Sequence, residues 1–99
     1  MKSKNEIEMN FSRAISQAEE LEKLSKELNT IATEQVRGAL KMLMFNWQGD
    51  NAELFYEKGD IISNEMLDTA DDLIKVAKSI ARTADIVYNA EKAALQLGF

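Results

Sequence analysis

The sequence predicts an all-α protein: an antiparallel helical hairpin, two long helices joined by a short turn, that dimerises into a four-helix bundle. Three observations predict it. The 99 residues contain no Pro and only four Gly, with 45% hydrophobic content, a composition of helix-rich folded chains rather than disordered ones. Apolar residues recur three and four apart along both halves of the chain, the spacing of one helix face. A single stretch of turn chemistry, Asn46-Trp47-Gln48-Gly49-Asp50-Asn51, separates those halves. The expected organisation is one domain over 1–99, with a helix over about 5–44, a turn over about 45–50 and a helix over about 51–96.

The first helix should start at Ser3-x-x-Glu6, a capping-box pattern, with Asn5 as a rival cap. Its stripe runs through Ile7, Phe11, Ala14, Ala18, Leu21, Leu28 and Ala32. After a small slip of phase it continues through Val36, Ala39, Leu40 and Leu43. Glu19/Lys23 and Glu22/Lys26 lie off the stripe as i,i+4 pairs on a solvated face. Gly38 interrupts the pattern at a typical cost of about 1 kcal/mol relative to Ala. Close approach of another helix and a tolerated surface position both account for it.

Asn46, Gly49, Asp50 and Asn51 then supply the turn, with Gly49 suited to a left-handed conformation. Asp50-x-x-Glu53 repeats the capping pattern and restarts the helix. So short a connection makes the two helices antiparallel neighbours. Trp47, the only tryptophan, reads either as a plug closing the end of the bundle or as a docking anchor, and the two are compatible.

The second helix carries Ala52, Phe55, Ile62, Met66, Ala70, Leu73, Ala77, Ile80, Ala84, Val87 and Ala94, much of it at heptad spacing. Beside it runs a second row, Leu67, Ile74, Ala81, Tyr88 and Leu95. Two helices touch along one line, so this second row is surplus to a lone hairpin and marks an interface. Pairing two hairpins would bury both rows. The helix should stop at Gly98, before Phe99.

Composition excludes several functions. With no Cys and no His, thiolate catalysis, disulfides and the commonest metal sites are out of reach. The densest acidic cluster, Asp68, Asp71 and Asp72, reads as an exposed face with Asp71 supported by Lys75. No phosphate loop or nucleophile elbow occurs. The expectation is a non-enzyme without catalytic, cofactor-binding or metal-binding residues. A net charge of −5 and a pI near 4.7 argue against nucleic acid and anionic lipid as partners. The basic amino terminus is not followed by an apolar run, so no cleavable signal peptide is expected, and no window is long enough for a membrane span.

A chain of this length with two long helices hinged at Trp47-Gln48-Gly49, followed by Asp50, Ala52 and Phe55, resembles the WxG (ESAT-like) family of small type VII secretion substrates. The likeness covers essentially the whole chain. It implies synthesis in the cytoplasm and export as a folded dimer, recognised by a membrane-anchored secretion ATPase. It also implies a composite signal, Trp-x-Gly of one protomer near a Tyr-x-x-x-Asp/Glu motif at the end of the other's second helix. Here the carboxy-terminal candidate is degenerate: Tyr88-Asn89-Ala90-Glu91-Lys92 places its acid one position early. The correctly spaced Tyr56-x-x-x-Asp60 lies at the wrong end of the helix. The resemblance therefore implies a secreted or co-secreted binding protein. It would be a homodimeric substrate or the adaptor of a larger effector's helical domain, a partner then supplying the missing half of the signal. The competing expectations are a membrane-active helical protein after release and an intracellular coiled-coil adaptor. The acidic balance and mixed-sign polar faces speak against the first.

Overall fold

The computed structural model describes residues 2–47 and 49–98. Gln48 of the Trp-x-Gly tripeptide and Phe99 at the carboxy terminus lie outside the described residues. The all-helical expectation holds. Helix α1 spans Lys4–Thr30 and passes through a π-helical turn, Ile31–Val36, into α2, Arg37–Asn46; α3 spans Asp50–Gln96.

The start of α1 follows from Ser3, whose Oγ accepts the Glu6 backbone N–H at 3.2 Å while its carbonyl accepts that of Ile7 at 3.1 Å. At the start of α3 it is Gly49, not Asp50, that occupies the cap: its carbonyl accepts the Glu53 N–H at 3.2 Å. Asp50 and Glu53 sit instead in the first turn, where their charges complement the positive end of the helix dipole. The φ of +124° at Gly49 is a conformation that only glycine adopts without strain. Gly98, with φ +80°, follows the last turn of α3 and donates to the Leu95 carbonyl.

The slip of phase in the first arm has a structural cause. Burial steps by four and three through Ile7, Phe11, Ala14, Ala18, Leu21, Ser25, Leu28 and Ala32. The next step of three would turn Gln35 inward. The π turn absorbs one extra residue, with the Arg37 N–H bonding back to the Ala32 carbonyl, and inward positions resume at Val36, Leu40 and Leu43. Ala39, expected on the stripe, is exposed.

The chain divides into two compact units, a terminal unit of Met1–Glu22 with Ile74–Phe99 and a turn-side unit of Lys23–Leu73. In the turn-side unit the two arms run antiparallel, since Ser25, Ala32 and Leu40 meet Ala70, Ser63 and Gly59 in descending order. The fully inward residues there are small: Ala32, Ala52 and Ser63 at 0% exposure, with Ser25 and Ala70 close behind. Small side chains let two helix backbones approach, and each buried hydroxyl uses that approach. Ser25 Oγ donates to the Ala70 carbonyl at 2.7 Å, and Ser63 Oγ donates reciprocally to the Ala32 carbonyl at 3.0 Å. Each such bond contributes about 1 kcal/mol. In the terminal unit the inward set is Ile7, Ala18 and Ala77, with Phe11 stacked on Tyr88 at 4.5 Å between ring centroids.

This seam corrects the sequence expectation for α3. The inward positions run Ala52, Tyr56, Gly59, Ser63, Met66, Ala70, Leu73 and Ala77, whereas Phe55, Ile62 and Val87 are 57%, 53% and 45% exposed. The close approach of the arms admits small residues and displaces large ones to the flanks. Glycine follows the same rule. A Cβ at Gly59 would run into the terminal carbons of Leu40, so the close-approach glycine is Gly59, while nothing lies within 4 Å of a Cβ at Gly38. Gly38→Ala should therefore raise stability by about 0.5–1 kcal/mol through helix propensity alone, read as a higher urea midpoint with an unchanged slope.

Candidate functional site

The break between α2 and α3 is built from the chain's turn chemistry. Trp47 leaves the helix with extended backbone, φ −134° and ψ 115°. Its N–H still donates to the Leu43 carbonyl at 2.8 Å, and the Asn46 side chain donates to the Met42 carbonyl at 2.9 Å. The indole packs on Phe55, 5.8 Å between centroids and tilted by 42°, an ordinary geometry for an aromatic pair. Trp47 nevertheless stays 41% exposed, with Phe45 and Met42 more open still. It is thus half plug and half surface: one side rests on Phe55 and the rest faces solvent.

Tyr88 and Glu91 lie together in the terminal unit, and both are engaged within the chain. Tyr88 stacks on Phe11, and Lys92 Nζ sits 5.0 Å from the centre of its ring. Glu91 Oε1 pairs with Lys2 Nζ at 3.0 Å. The residue one position beyond the acid, Lys92, is that ring partner. Tyr56 is a half-buried member of the seam, and Asp60 faces Arg37 at 3.8 Å, with the Arg37 guanidinium also donating to Asn64 at 2.6 Å. That pair does structural work beside the seam.

The second apolar row is half-buried at every position, Leu67, Ile74, Ala81, Tyr88 and Leu95. It is neither sealed nor fully wet. Among the described residues the ion pairs within 4 Å are Lys2–Glu91 and Arg37–Asp60, so the pairs expected at Glu19/Lys23, Glu22/Lys26 and Asp71/Lys75 are not drawn together. Among the described residues no group of acidic side chains is arranged to hold a metal ion, and no helix is long and apolar enough to cross a membrane. An open cleft of about 370 Å³ lies between Ile7, Phe11 and Ala14 on one arm and Ile80, Val87 and Tyr88 on the other. Its walls are apolar, and the charged groups at its rim, Lys2 and Glu91, are already paired.

Two sets of residues escaped the sequence reading. Ser25 and Ser63 belong to the seam, and their heptad positions between Leu21 and Leu28, and between Gly59 and Met66, were the signal. Leu24, Ile31, Leu54 and Ile61 are 48%, 38%, 49% and 57% exposed; they lie off the seam and are surface residues of the turn-side unit. Comparisons with protein-family models, with curated proteins and with solved structures gave no match for this chain.

Proposed function

We propose that this is a small non-enzymatic binding protein of a type VII secretion system, exported or co-secreted as a dimer in a four-helix bundle. It acts either as a substrate in its own right or as the adaptor of a larger effector's helical region. The single observation that carries the reading is the Trp47–Gly49 element. Trp47 and Gly49 occupy the break between two long helices, and the indole is held by Phe55 yet left 41% exposed. A purely structural tryptophan gains by complete burial, whereas a partly covered aromatic at a helix break is suited to anchor a partner.

Dimerisation is supported by surface area. A compact monomer of 11.2 kDa exposes roughly 5,700 Å², and this chain exposes 7318 Å². The difference, roughly 1,600 Å² per chain, is about twice the ~800 Å² per partner that a standard interface removes and falls in the range of obligate homodimers. The partner surface in this reading is the row Leu67, Ile74, Ala81, Tyr88 and Leu95. Tyr88 and Glu91, already fixed by Phe11 and Lys2, would be presented as a rigid terminal patch, complemented by the partner for recognition by the secretion ATPase.

The test is export of Trp47→Ala and Trp47→Phe from a host with an intact type VII system. Trp47→Ala should accumulate in the cells with at least a tenfold loss from the medium, and Trp47→Phe should be partly exported. Wild-type secretion by both variants would defeat the proposal, as would wild-type secretion from a host lacking the system.

A further inference from the structure

The net charge of the protein resides in one of its units. The turn-side unit holds ten acidic and five basic residues, and the terminal unit holds seven of each. The turn-side unit also carries most of the uncovered large apolar side chains. The seam fixes where they lie. On α1, with Ser25, Leu28 and Ala32 inward, Leu24 and Ile31 share one flank; on α3, with Gly59, Ser63 and Met66 inward, Phe55 and Ile62 share one flank. The opposite flank is identified by the contact of Arg37 with Asp60 across the arms. In an antiparallel pair the matching flanks face the same side, so these four residues share one side of the hairpin as an apolar strip. The Ala32–Ser63 contact sets Ile31 beside Ile62, Leu24 lies two turns further along at the level of Ala70, and Phe55 lies two turns the other way, beside Trp47. Leu54 and Ile61 lie a further ~100° round α3, with the exposed Lys58 between them and Phe55 and Ile62. This strip is on the side of the hairpin away from Leu67 and from the Arg37–Asp60 contact.

Acids outnumber bases along the strip. Glu27 and Glu34 lie one turn from Leu24 and Ile31 on the first arm; on α3 Glu57 lies one turn from Leu54 and Ile61, Glu65 one turn from Ile61 and Ile62, and Asp68 two turns from Ile61, while Lys58 is the one base among them, one turn from Phe55 and Ile62. All six are exposed. An apolar strip with a net acidic border is complementary to a helix with one apolar stripe flanked by Lys and Arg. A second copy of this chain would bring the same acids against themselves. We propose that the flank formed by Leu24, Ile31, Phe55 and Ile62 is a docking surface for a basic amphipathic helix of another protein. This surface is separate from the row assigned to the dimer and does not depend on export.

The test uses the full chain and three synthetic helical peptides. One has leucines at i, i+3, i+4 and i+7 with lysines beside the stripe; the second replaces those lysines with glutamates; the third scrambles the first. Titration calorimetry should show binding of the basic amphipathic peptide alone, weakening at least about tenfold between 50 and 500 mM salt. The double variant Leu24→Ser/Ile62→Ser should weaken it at least tenfold, and so should Glu27→Lys/Glu34→Lys, whose exposed positions leave folding intact. Ile86→Ser, an equally exposed apolar site in the other unit, should leave it unchanged. Absence of binding, equal binding of the scrambled peptide, or unchanged binding by both double variants would each overturn the proposal. So would a fall in solution mass of Leu24→Ser/Ile62→Ser from dimer to monomer, because a second copy would then be the occupant.

Discussion

Ala70→Leu should lower the stability of the protein by about 3 kcal/mol, the upper end of the usual cost of overpacking a core. Ala70 is 2% exposed, and its carbonyl receives the Ser25 hydroxyl at 2.7 Å. Three more carbons at this point have no space between the arms. Admitting them means parting the helices, which stretches the Ser25 bond and leaves a buried hydroxyl unpaired. The same unit holds Ala32 and Ser63, each at 0% exposure, so the strain cannot be passed to a neighbouring gap. Urea unfolding at fixed protein concentration reads the effect. Ala90→Leu, at an exposed position of the same helix, is the control and should be neutral within about 0.5 kcal/mol.

Ile74→Asp should have a comparable effect by a different route. Ile74 is half-buried in the middle of the row Leu67, Ile74, Ala81, Tyr88 and Leu95. A carboxylate there remains hydrated in a lone chain, but a dimer formed through the row would enclose it without a basic partner. Breaking such an interface with an unpaired charge costs about 3 kcal/mol or more, enough to lower the dimer affinity at least a hundredfold. Sedimentation analysis should find the variant monomeric or unfolded at concentrations where the proposed dimer of the parent forms. Ile86→Asp, 63% exposed and off both flanks, should behave like the parent.

Most of the fold was legible because its signals are local. The capping pattern at Ser3, the turn residues around Gly49, the missing proline and the three-four spacing each act within a few residues of themselves. The seam was less legible because it follows distance between backbones, not hydrophobicity. A reader following the largest apolar side chains on α3 chooses Phe55 and Ile62. The close approach of the arms chooses Tyr56, Gly59 and Ser63 instead and leaves the large residues on a flank. The π turn illustrates the middle case. Its mark in the sequence was the slip of phase between Ala32 and Val36, but a slip alone does not say whether the helix bends, breaks or absorbs a residue. At the candidate site, Trp47 and Gly49 were found by residue type, and their surroundings were not. The Phe55 contact with Trp47 and the Phe11 and Lys2 partners of Tyr88 and Glu91 depend on the register of one arm against the other.

The central claim is that this chain's own seam, whose fully buried members among the described residues are alanines, serines and Ile7, is too thin to stand alone and needs a partner surface. The most direct measurement is the solution mass of the purified chain by light scattering, with circular dichroism on the same sample across a dilution series. The account predicts a helical species of roughly twice the 11.2 kDa chain mass, losing helix and mass together on dilution. A monodisperse monomer that stays fully helical and melts cooperatively at low micromolar concentration would contradict it.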